Sequence, residues 1–249
     1  MSEPEVQVEE HGWESPAIGH EMHLKVYGHD GRPIVAFPPQ AGHFSDFESF
    51  GMVEAVAHLI DGGRIRIVAV DSIDNESWSN FSISPADRAR RHDDYDRYLV
   101  DELAPWVRER TGWSALWTTG CSMGGYHAAN ALFRHPDVFD GCVAISGLYQ
   151  LRTFIGDFVD DRVYFNSPLL FLPGLDDPVV LGRLRAATIC AVVGQGAWDE
   201  EMLADTRALG DILAAKGIPA TIDVWGTDVN HDWPWWRRML PYELERLGV

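Results

Sequence analysis

A serine lies between two glycines near the middle of the chain, in Gly120-Cys121-Ser122-Met123-Gly124. A short apolar run precedes this motif and a run typical of a helix follows it, which is the order that a nucleophile elbow requires. Small flanking residues let the strand and the helix pass closely, and the helix N-terminus favours a developing negative charge. The setting predicts that Ser122 is a catalytic nucleophile, although the bare motif is a weak signal and could mark a structural turn.

A serine hydroxyl needs a general base, and His231 is the best placed of the ten histidines. It follows the last predicted strand, within "VWGTDVNHDWPWWRR", at the carboxyl end of that strand. His127 lies in the helix that follows Ser122, where a structural or solvated role is expected. The sequence therefore predicts that His231 accepts the proton of Ser122, the alternative being a surface loop histidine.

The third member of such a triad is a carboxylate that orients the histidine and stabilises its cation. In the chain order Ser, acid, His it follows the strand "TICAVVG", where "GQGAWDEEM" offers Asp199, Glu200 and Glu201. Glu201 is expected to face outward from the start of a helix. Asp199 and Glu200 both remain candidates for the triad acid.

An oxyanion hole needs two backbone N–H groups, and one of them belongs to the residue after the nucleophile, here Met123. The other comes from the loop after the strand "IVAF", which begins "PPQAG". Pro38 and Pro39 have no N–H, so Gln40 is the first residue that can donate. Ala41 and Gly42 are the alternatives.

Strands that alternate with helices must position these residues. Such alternation predicts a mostly parallel sheet covered on both faces, with the functional residues at the carboxyl ends of the strands. The predicted strands span 21–28, 32–40, 64–72, 115–119, 141–146, 188–194 and 220–226, and the predicted helices span 45–63, 87–111, 124–135, 200–217 and a segment from about 233.

Residues 1–249 are predicted to form a single α/β domain, because the chain shows no repeat, low-complexity tract or linker. Residues 148–186 are less regular and are predicted to form a lid. Its expected substrate-facing side chains are Tyr149, Phe154, Phe158 and Tyr164. Three loops at the same end of the sheet carry tryptophan, which indicates an apolar pocket lined by Trp78, Trp198 and Trp233.

Composition excludes several classes of partner. The net charge of −18 argues against nucleic acid and anionic membrane surfaces. No apolar run approaches 18 residues, so no membrane span is expected. Three cysteines without CxxC spacing fit a reducing compartment, and the N-terminus lacks the pattern of a signal peptide, so the expected location is the cytoplasm. A homo-oligomer is compatible with the sequence, which contains no signal for one.

Cofactor and metal chemistry find no support in the sequence. Asp228, His231 and Asp232 match no common metal-ligand spacing, and H-E-x-x-H is absent. There is no P-loop, and no G-x-G-x-x-G follows the first strand. We therefore expect neither a metal nor a cofactor, and a small-molecule ester as the substrate.

Three segments together resemble a known family. "GCSMGGYHAAN", "GQGAWDEE" and "VNHDWPWW" are similar to the putative esterase family, which includes esterase D, enterochelin esterase and the mycolyltransferases. The resemblance extends from about residue 20 to the C-terminus, and it implies an α/β-hydrolase fold with a Ser–acid–His triad. Resemblance to the esterase D-like members implies that the acid is Asp199, whereas resemblance to the mycolyltransferases implies Glu200. The mycolyltransferases are secreted, and this chain shows no export signal.

The expected function is that of a serine carboxylic ester hydrolase acting through an acyl-enzyme. An acyltransferase would use the same triad with an alcohol acceptor in place of water. A non-catalytic α/β-hydrolase-like scaffold is the alternative from another class, and the apparently intact triad argues against it.

Overall fold

The computed structural model describes residues 6–249 and is built around one eight-stranded sheet. The strands are β1 (Val8–Glu14), β2 (Glu21–Tyr27), β3 (Arg32–Phe37), β4 (Ile65–Val70), β5 (Leu116–Cys121), β6 (Phe139–Ile145), β7 (Thr188–Val193) and β8 (Thr221–Val224). Their order across the sheet is β1-β2-β4-β3-β5-β6-β7-β8. Strands β4, β3, β5, β6, β7 and β8 pair in parallel, as the sequence predicted, while β1 and β2 are antiparallel to their neighbours.

Strand β1 is the element that sequence patterning missed. It pairs with β2 from Val8 opposite Tyr27 to Glu14 opposite Glu21, at the edge of the sheet. Its residues, VEEHGWE, alternate between exposed and half-buried positions and include three glutamates. None of the seven residues is buried, so neither face of the strand had to be apolar, and the alternation that identifies a strand is weak.

Twelve α-helices cover the sheet within the described residues. They are α1 (Asp46–Ser49), α2 (Met52–Ala55), α3 (Ala57–Asp61), α4 (Pro85–Arg97), α5 (Ala104–Thr111), α6 (Met123–Arg134), α7 (Arg152–Ile155), α8 (Asp161–Phe165), α9 (Pro168–Phe171), α10 (Pro178–Ala186), α11 (Glu200–Ala215) and α12 (Trp233–Arg246). A π-helical turn over Tyr98–Leu103 joins α4 to α5, and a 3₁₀ turn over Leu172–Gly174 follows α9. None of these helices is long and apolar enough to cross a membrane.

The predicted helix over 45–63 is interrupted. Gly51 adopts φ +75 and separates α1 from α2, and Val56 leaves helical geometry before α3. A left-handed residue cannot continue a right-handed helix, so the apolar spacing here serves three short helices. Between residues 85 and 111 the helical path is continuous, and its start is capped by the Ser84 hydroxyl, which accepts from the Asp87 N–H at 3.1 Å.

Each face of the sheet has its own apolar layer. One layer includes Val35, Val70 and Leu132 and is covered mainly by α4, α5, α6 and α11. The other includes Ile34, Ile67 and Trp236 and is covered by α1, α2, α3 and α12. Every residue of β5 is buried, so the segment that leads into Ser122 is clamped between the two layers. Because β5 is packed on both faces, it can hold Ser122, the residue that follows its carboxyl end, in one position.

Candidate active site

Ser122 lies at the turn between β5 and α6 with φ +58 and ψ −121. A non-glycine residue adopts positive φ only where its surroundings enforce it. Here the enforcement comes from close packing: a Cβ on Gly120 would lie 2.4 Å from the Gly124 carbonyl, and one on Gly124 would lie 2.3 Å from the Phe37 oxygen. Both glycines of the motif are therefore required sterically, as the elbow interpretation predicts.

The backbone of the turn is fixed by hydrogen bonds on both sides of the serine. The Ser122 N–H donates to the Ile145 carbonyl of β6 at 2.9 Å, and its own carbonyl accepts from Gly125 and Tyr126 N–H in α6. The Ser122 side chain is half-buried at the N-terminus of α6. Free N–H groups at this helix end favour negative charge beside the hydroxyl.

His231 is bound by one of the predicted carboxylates. Its Nδ1 lies 2.8 Å from Asp199 Oδ1, and the Asp199 side chain is completely buried. An ionised carboxylate only accepts hydrogen bonds, so Nδ1 carries the proton and Nε2 is left as the basic nitrogen. The imidazole is 13% exposed, which gives it access to the surface of the site.

The loops that carry Asp199 and His231 are bound to one another along their length. His231 N–H donates to the Ala197 carbonyl at 3.0 Å, and Ala197 N–H donates to Asn230 Oδ1 at 2.9 Å. Gly196 N–H reaches the Val229 carbonyl at 2.8 Å, and a Cβ at Gly196 would lie 2.3 Å from Asn230 Oδ1. The glycine therefore permits the close approach, and the network holds acid and base in one geometry.

Trp236 supports the imidazole from its other side. The two rings meet edge to face, with centroids 4.9 Å apart and an interplanar angle of 88°. The indole N–H of Trp236 lies 3.4 Å from Ser146 Oγ, next to the end of β6. Ser146 also has positive φ, at +47. Neither residue was singled out from the sequence, and only the strained conformation of Ser146, visible in three dimensions, would have drawn attention to it.

The structure distinguishes between Asp199 and Glu200, the two acids that the sequence left as candidates for the partner of His231. Glu200 begins α11 and is exposed, while Asp199, one position earlier, points inward to His231. Glu201 is also exposed, as expected, and its carboxylate accepts from Thr153 Oγ1 at 2.6 Å. Of the three acids, Asp199 is the one brought to the imidazole.

The predicted oxyanion donors lie on the two segments that meet at the elbow. Gly124 packs against the carbonyls of Phe37 and Pro38, which places the loop after β3 directly over the start of α6.

A turn in this loop carries Gln40. Gly42 N–H closes the turn onto the Pro39 carbonyl at 2.9 Å, with Gln40 and Ala41 at its centre. The N–H groups of Gln40 and Met123 are thus carried on adjoining segments, which is the arrangement an oxyanion hole needs.

A family model described as putative esterase matches residues 15–247. The chain belongs to the putative esterase family. A search of curated proteins finds no significant match.

Solved structures similar to this esterase-family chain agree on the fold. A ferulic acid esterase aligns with a TM-score of 0.75 at 17% identity, with 96% of each chain covered. The fluorophosphonate-binding serine hydrolase F of Staphylococcus aureus aligns with a TM-score of 0.73 at 14% identity, covering 96% of this chain and 97% of the other. The S-formylglutathione hydrolase of Staphylococcus aureus aligns with a TM-score of 0.68 at 15% identity, covering 97% and 96%. The fold is the α/β-hydrolase fold, as predicted.

The three tryptophans expected to line a pocket have different surroundings in this family member. Trp78 is completely buried and packs in an apolar cluster with Met123, so it has no surface for a substrate in this conformation. Trp198 is 80% exposed with φ +70, next to Asp199. Trp233 is half-buried and stacks on the exposed Phe50 ring at 4.7 Å. Only the last two present an aromatic face at the carboxyl edge of the sheet.

Residues 148–186 are more regular than the sequence indicated, since they form α7 to α10 and a 3₁₀ turn. Of the four aromatic side chains expected to face the substrate, Tyr149 and Phe154 are buried, and Tyr164 is half-buried. Phe158 is 36% exposed and is the only one of the four that presents a substantial surface. Tyr149 packs in the apolar layer against the sheet, and Phe154 packs in the cluster around Met123. Both side chains therefore anchor the segment.

Thiol and metal chemistry have little support from the described residues. Cys121, Cys142 and Cys190 are free and buried, and burial raises the pKa of the Cys142 thiol to about 12. The Cys121 thiol, next to the nucleophile position, has its pKa raised well above the ordinary value by burial. Within residues 6–249, no group of three or more His, Cys, Asp or Glu side chains is arranged to hold a metal ion.

Proposed function

We propose that this member of the putative esterase family is a serine carboxylic ester hydrolase with Ser122 as nucleophile, His231 as base and Asp199 as the orienting acid. The observation that carries the proposal is the 2.8 Å contact between His231 Nδ1 and Asp199 Oδ1, together with an elbow that holds Ser122 at φ +58. The contact leaves His231 Nε2 free to accept a proton.

The acylation step follows from these roles. Ser122 Oγ attacks the ester carbonyl carbon as His231 Nε2 takes its proton, and the carbonyl π electrons move to oxygen. The N–H groups of Met123 and Gln40 stabilise the resulting oxyanion. When the tetrahedral intermediate collapses, the C–O bond to the alcohol breaks and His231 delivers the proton to the leaving oxygen.

Deacylation repeats the sequence with water as the nucleophile. His231 removes a proton from water, the hydroxide attacks the acyl-enzyme, and Ser122 leaves with the proton returned by His231. Asp199 stabilises the imidazolium in both halves without itself taking a proton. Neither half requires a metal or a cofactor.

We further propose that residues 148–186 form a lid within a single domain spanning the chain. The segment follows β6 at the carboxyl edge, and Leu151 and Phe154 pack in the same apolar cluster as Met123. Thr153 bonds to Glu201 at the start of α11, which follows Asp199 directly. These contacts support a position for the segment beside the proposed acyl site.

We propose a cytoplasmic location, since three buried thiols without a disulfide are typical of a reducing compartment. The net charge of −18 supports a small ester as the ligand in preference to nucleic acid.

The proposed function is tested with a series of p-nitrophenyl esters of increasing acyl length. Wild type should hydrolyse at least one ester and be labelled by a fluorophosphonate probe, while Ser122→Ala should lose both properties and keep its thermal unfolding temperature. Wild-type protein that is folded, inactive and unlabelled would contradict the proposal. Adding a primary alcohol and measuring transesterified product separates hydrolysis from acyl transfer.

A further inference from the structure

The turn that carries the Gln40 N–H is strained. In the turn closed by Gly42 N–H on the Pro39 carbonyl, Ala41 adopts φ +58, a conformation that non-glycine residues rarely take. Gln40 occupies the position before it, where the turn's own hydrogen bond does not use the N–H. A strained turn persists only when its surroundings hold it, so contacts from outside the turn are required.

One such contact comes from the side chain of Gln40 itself. Its Nε2 donates to Ser79 Oγ at 3.0 Å, across to the loop that follows β4. The Gln40 residue is exposed, yet this amide is bound to a different segment of the chain. A second contact holds the same loop further along, where Phe44 N–H donates to Asp71 Oδ1 at 3.1 Å. The loop after β3 is thus tethered twice to the segment after β4.

Ser79 is itself anchored to α6. Its N–H donates to the Asp74 carbonyl at 2.8 Å, and Asp74 Oδ1 lies 2.9 Å from His127 Nε2. The Asp74 and His127 side chains are both buried. His127 belongs to α6, the helix that begins at Met123. The path from Gln40 through Ser79, Asp74 and His127 therefore links the two proposed oxyanion donors to one helix.

We infer that Ser79 is a positioning residue for the oxyanion hole. By binding the Gln40 carboxamide, it holds the Gln40 N–H at a fixed position relative to the Met123 N–H. The inference rests on the proposed function. It assigns the Gln40 side chain a role separate from that of its backbone. Because the backbone N–H survives replacement of the side chain, that role can be removed without deleting the donor.

The test is a double-mutant cycle on the full chain with Gln40→Ala, Ser79→Ala and the double variant. Each single variant should lower kcat about tenfold with KM within about twofold, because the donor acts on the oxyanion more than on the bound ester. The double variant should be no slower than either single variant. Ser79→Thr keeps a hydroxyl and should restore most of kcat, and Ser82→Ala is the matched control, a serine removed from the exposed part of the same loop.

Two further readouts separate positioning from a general loss of structure. Affinity for a trifluoromethyl ketone, whose adduct carries the oxyanion, should fall by the same factor as kcat/KM. The pH profile of kcat/KM should keep its shape, since the proposed path does not include His231. Additive losses, a change confined to KM, or full kcat in Ser79→Ala would each overturn the inference.

Failure of the inference and failure of the proposed function give different results. If wild type is active and Ser122→Ala is not, but Ser79→Ala equals wild type, only the positioning role is refuted. If wild type is folded but neither turns over esters nor reacts with fluorophosphonate, the proposed function is refuted and the positioning role with it.

Discussion

Two of the histidine–aspartate pairs in this molecule have nearly the same contact distance, and each joins one ring nitrogen to one carboxylate oxygen. His231 Nδ1 meets Asp199 Oδ1 at 2.8 Å, and His127 Nε2 meets Asp74 Oδ1 at 2.9 Å. In both pairs the aspartate is buried, and within residues 6–249 its second oxygen has no hydrogen-bond partner. Judged by distance and chemistry alone, either could be a catalytic dyad.

The two pairs differ in the exposure of the imidazole to solvent and in the residues that surround the ring. The His231 side chain is 13% exposed and lies on a loop at the carboxyl edge of the sheet, whereas that of His127 is 2% exposed inside α6. His127 is packed among rings, with His92 stacked on it at 5.5 Å. Burial lowers the pKa of His92 well below its ordinary value, so that ring is neutral. A histidine–carboxylate pair thus becomes a candidate catalytic group only where one ring nitrogen can reach a substrate.

The largest expected effect comes from replacing each histidine in turn. His231→Gln should lower kcat by about 10⁴- to 10⁶-fold, because the Ser122 hydroxyl loses its base. His127→Gln should lower kcat by no more than about thirtyfold, and mainly lower stability, since it loosens a buried anchor. Steady-state kinetics and urea unfolding on both variants measure the contrast. Equal losses of kcat would remove the distinction between the two pairs.

The next effect concerns the carboxylate of the exposed pair. Asp199→Asn should lower kcat about 10³- to 10⁴-fold, because an amide that donates to Nδ1 selects the tautomer with its proton on Nε2. Glu200→Gln, one residue away, should change kcat less than threefold. Both values come from initial rates at saturating ester. A larger loss in Glu200→Gln than in Asp199→Asn would show that the acid is misassigned.

A smaller effect concerns stability. Asp74→Asn should lower the free energy of unfolding by about 2–3 kcal/mol, because a buried charge-assisted hydrogen bond is weakened. Asp199→Asn should cost less than about 1 kcal/mol, because functional carboxylates are commonly held at some expense of stability. Urea unfolding followed by tryptophan fluorescence measures both. The reverse order would indicate that Asp199 is primarily structural.

Glu243 is a further buried carboxylate, and its contribution to stability depends on pH. It contacts Cys190 Sγ at 3.2 Å and Arg246 at 2.9 Å, and Arg246 is shared with Asp223 at 3.4 Å. Burial, reinforced by Asp223, raises the pKa of Glu243 from 4.5 to about 7.

Because the folded protein binds this proton more tightly than the unfolded chain, the stability that Glu243 contributes is fully present below the ordinary carboxyl pKa. It is lost as the pH rises through about 7. Glu243→Gln should remove a decline of about 1–3 kcal/mol across this window. Unfolding free energies of wild type and Glu243→Gln at pH 4.5, 6 and 7.5 give the test, and parallel curves would contradict it.

The smallest expected effect comes from Trp198, the exposed side chain next to Asp199. Trp198→Asn retains a residue that tolerates positive φ and removes the aromatic face, so KM for apolar esters should rise about threefold with kcat unchanged. Trp78→Phe, in the core, should instead lower thermal stability and leave KM within twofold. KM values for a short and a long acyl ester distinguish these outcomes.

Most of the secondary structure was predictable because it depends on local sequence patterns. The parallel strands and most helix positions follow from hydrophobic periodicity, and the glycines at residues 62 and 63 mark the end of the helical stretch predicted over 45–63. Strand β1 was not predictable, since charged residues at a sheet edge erase the alternation. The helix predicted over 45–63 was divided because Gly51 takes a left-handed conformation that its apolar neighbours do not reveal.

The elbow and the chain order of its partners follow from the amino-acid sequence. The contact of Gly120 with Gly124 is between near neighbours in the chain, and strand periodicity sets which loops share an edge. Contacts between segments distant in the chain select Asp199 over Glu200 as the partner of His231, bury Trp78, and pair His127 of α6 with Asp74. Adjacent side chains at a helix start point about 100° apart, so contacts between distant segments select one of them.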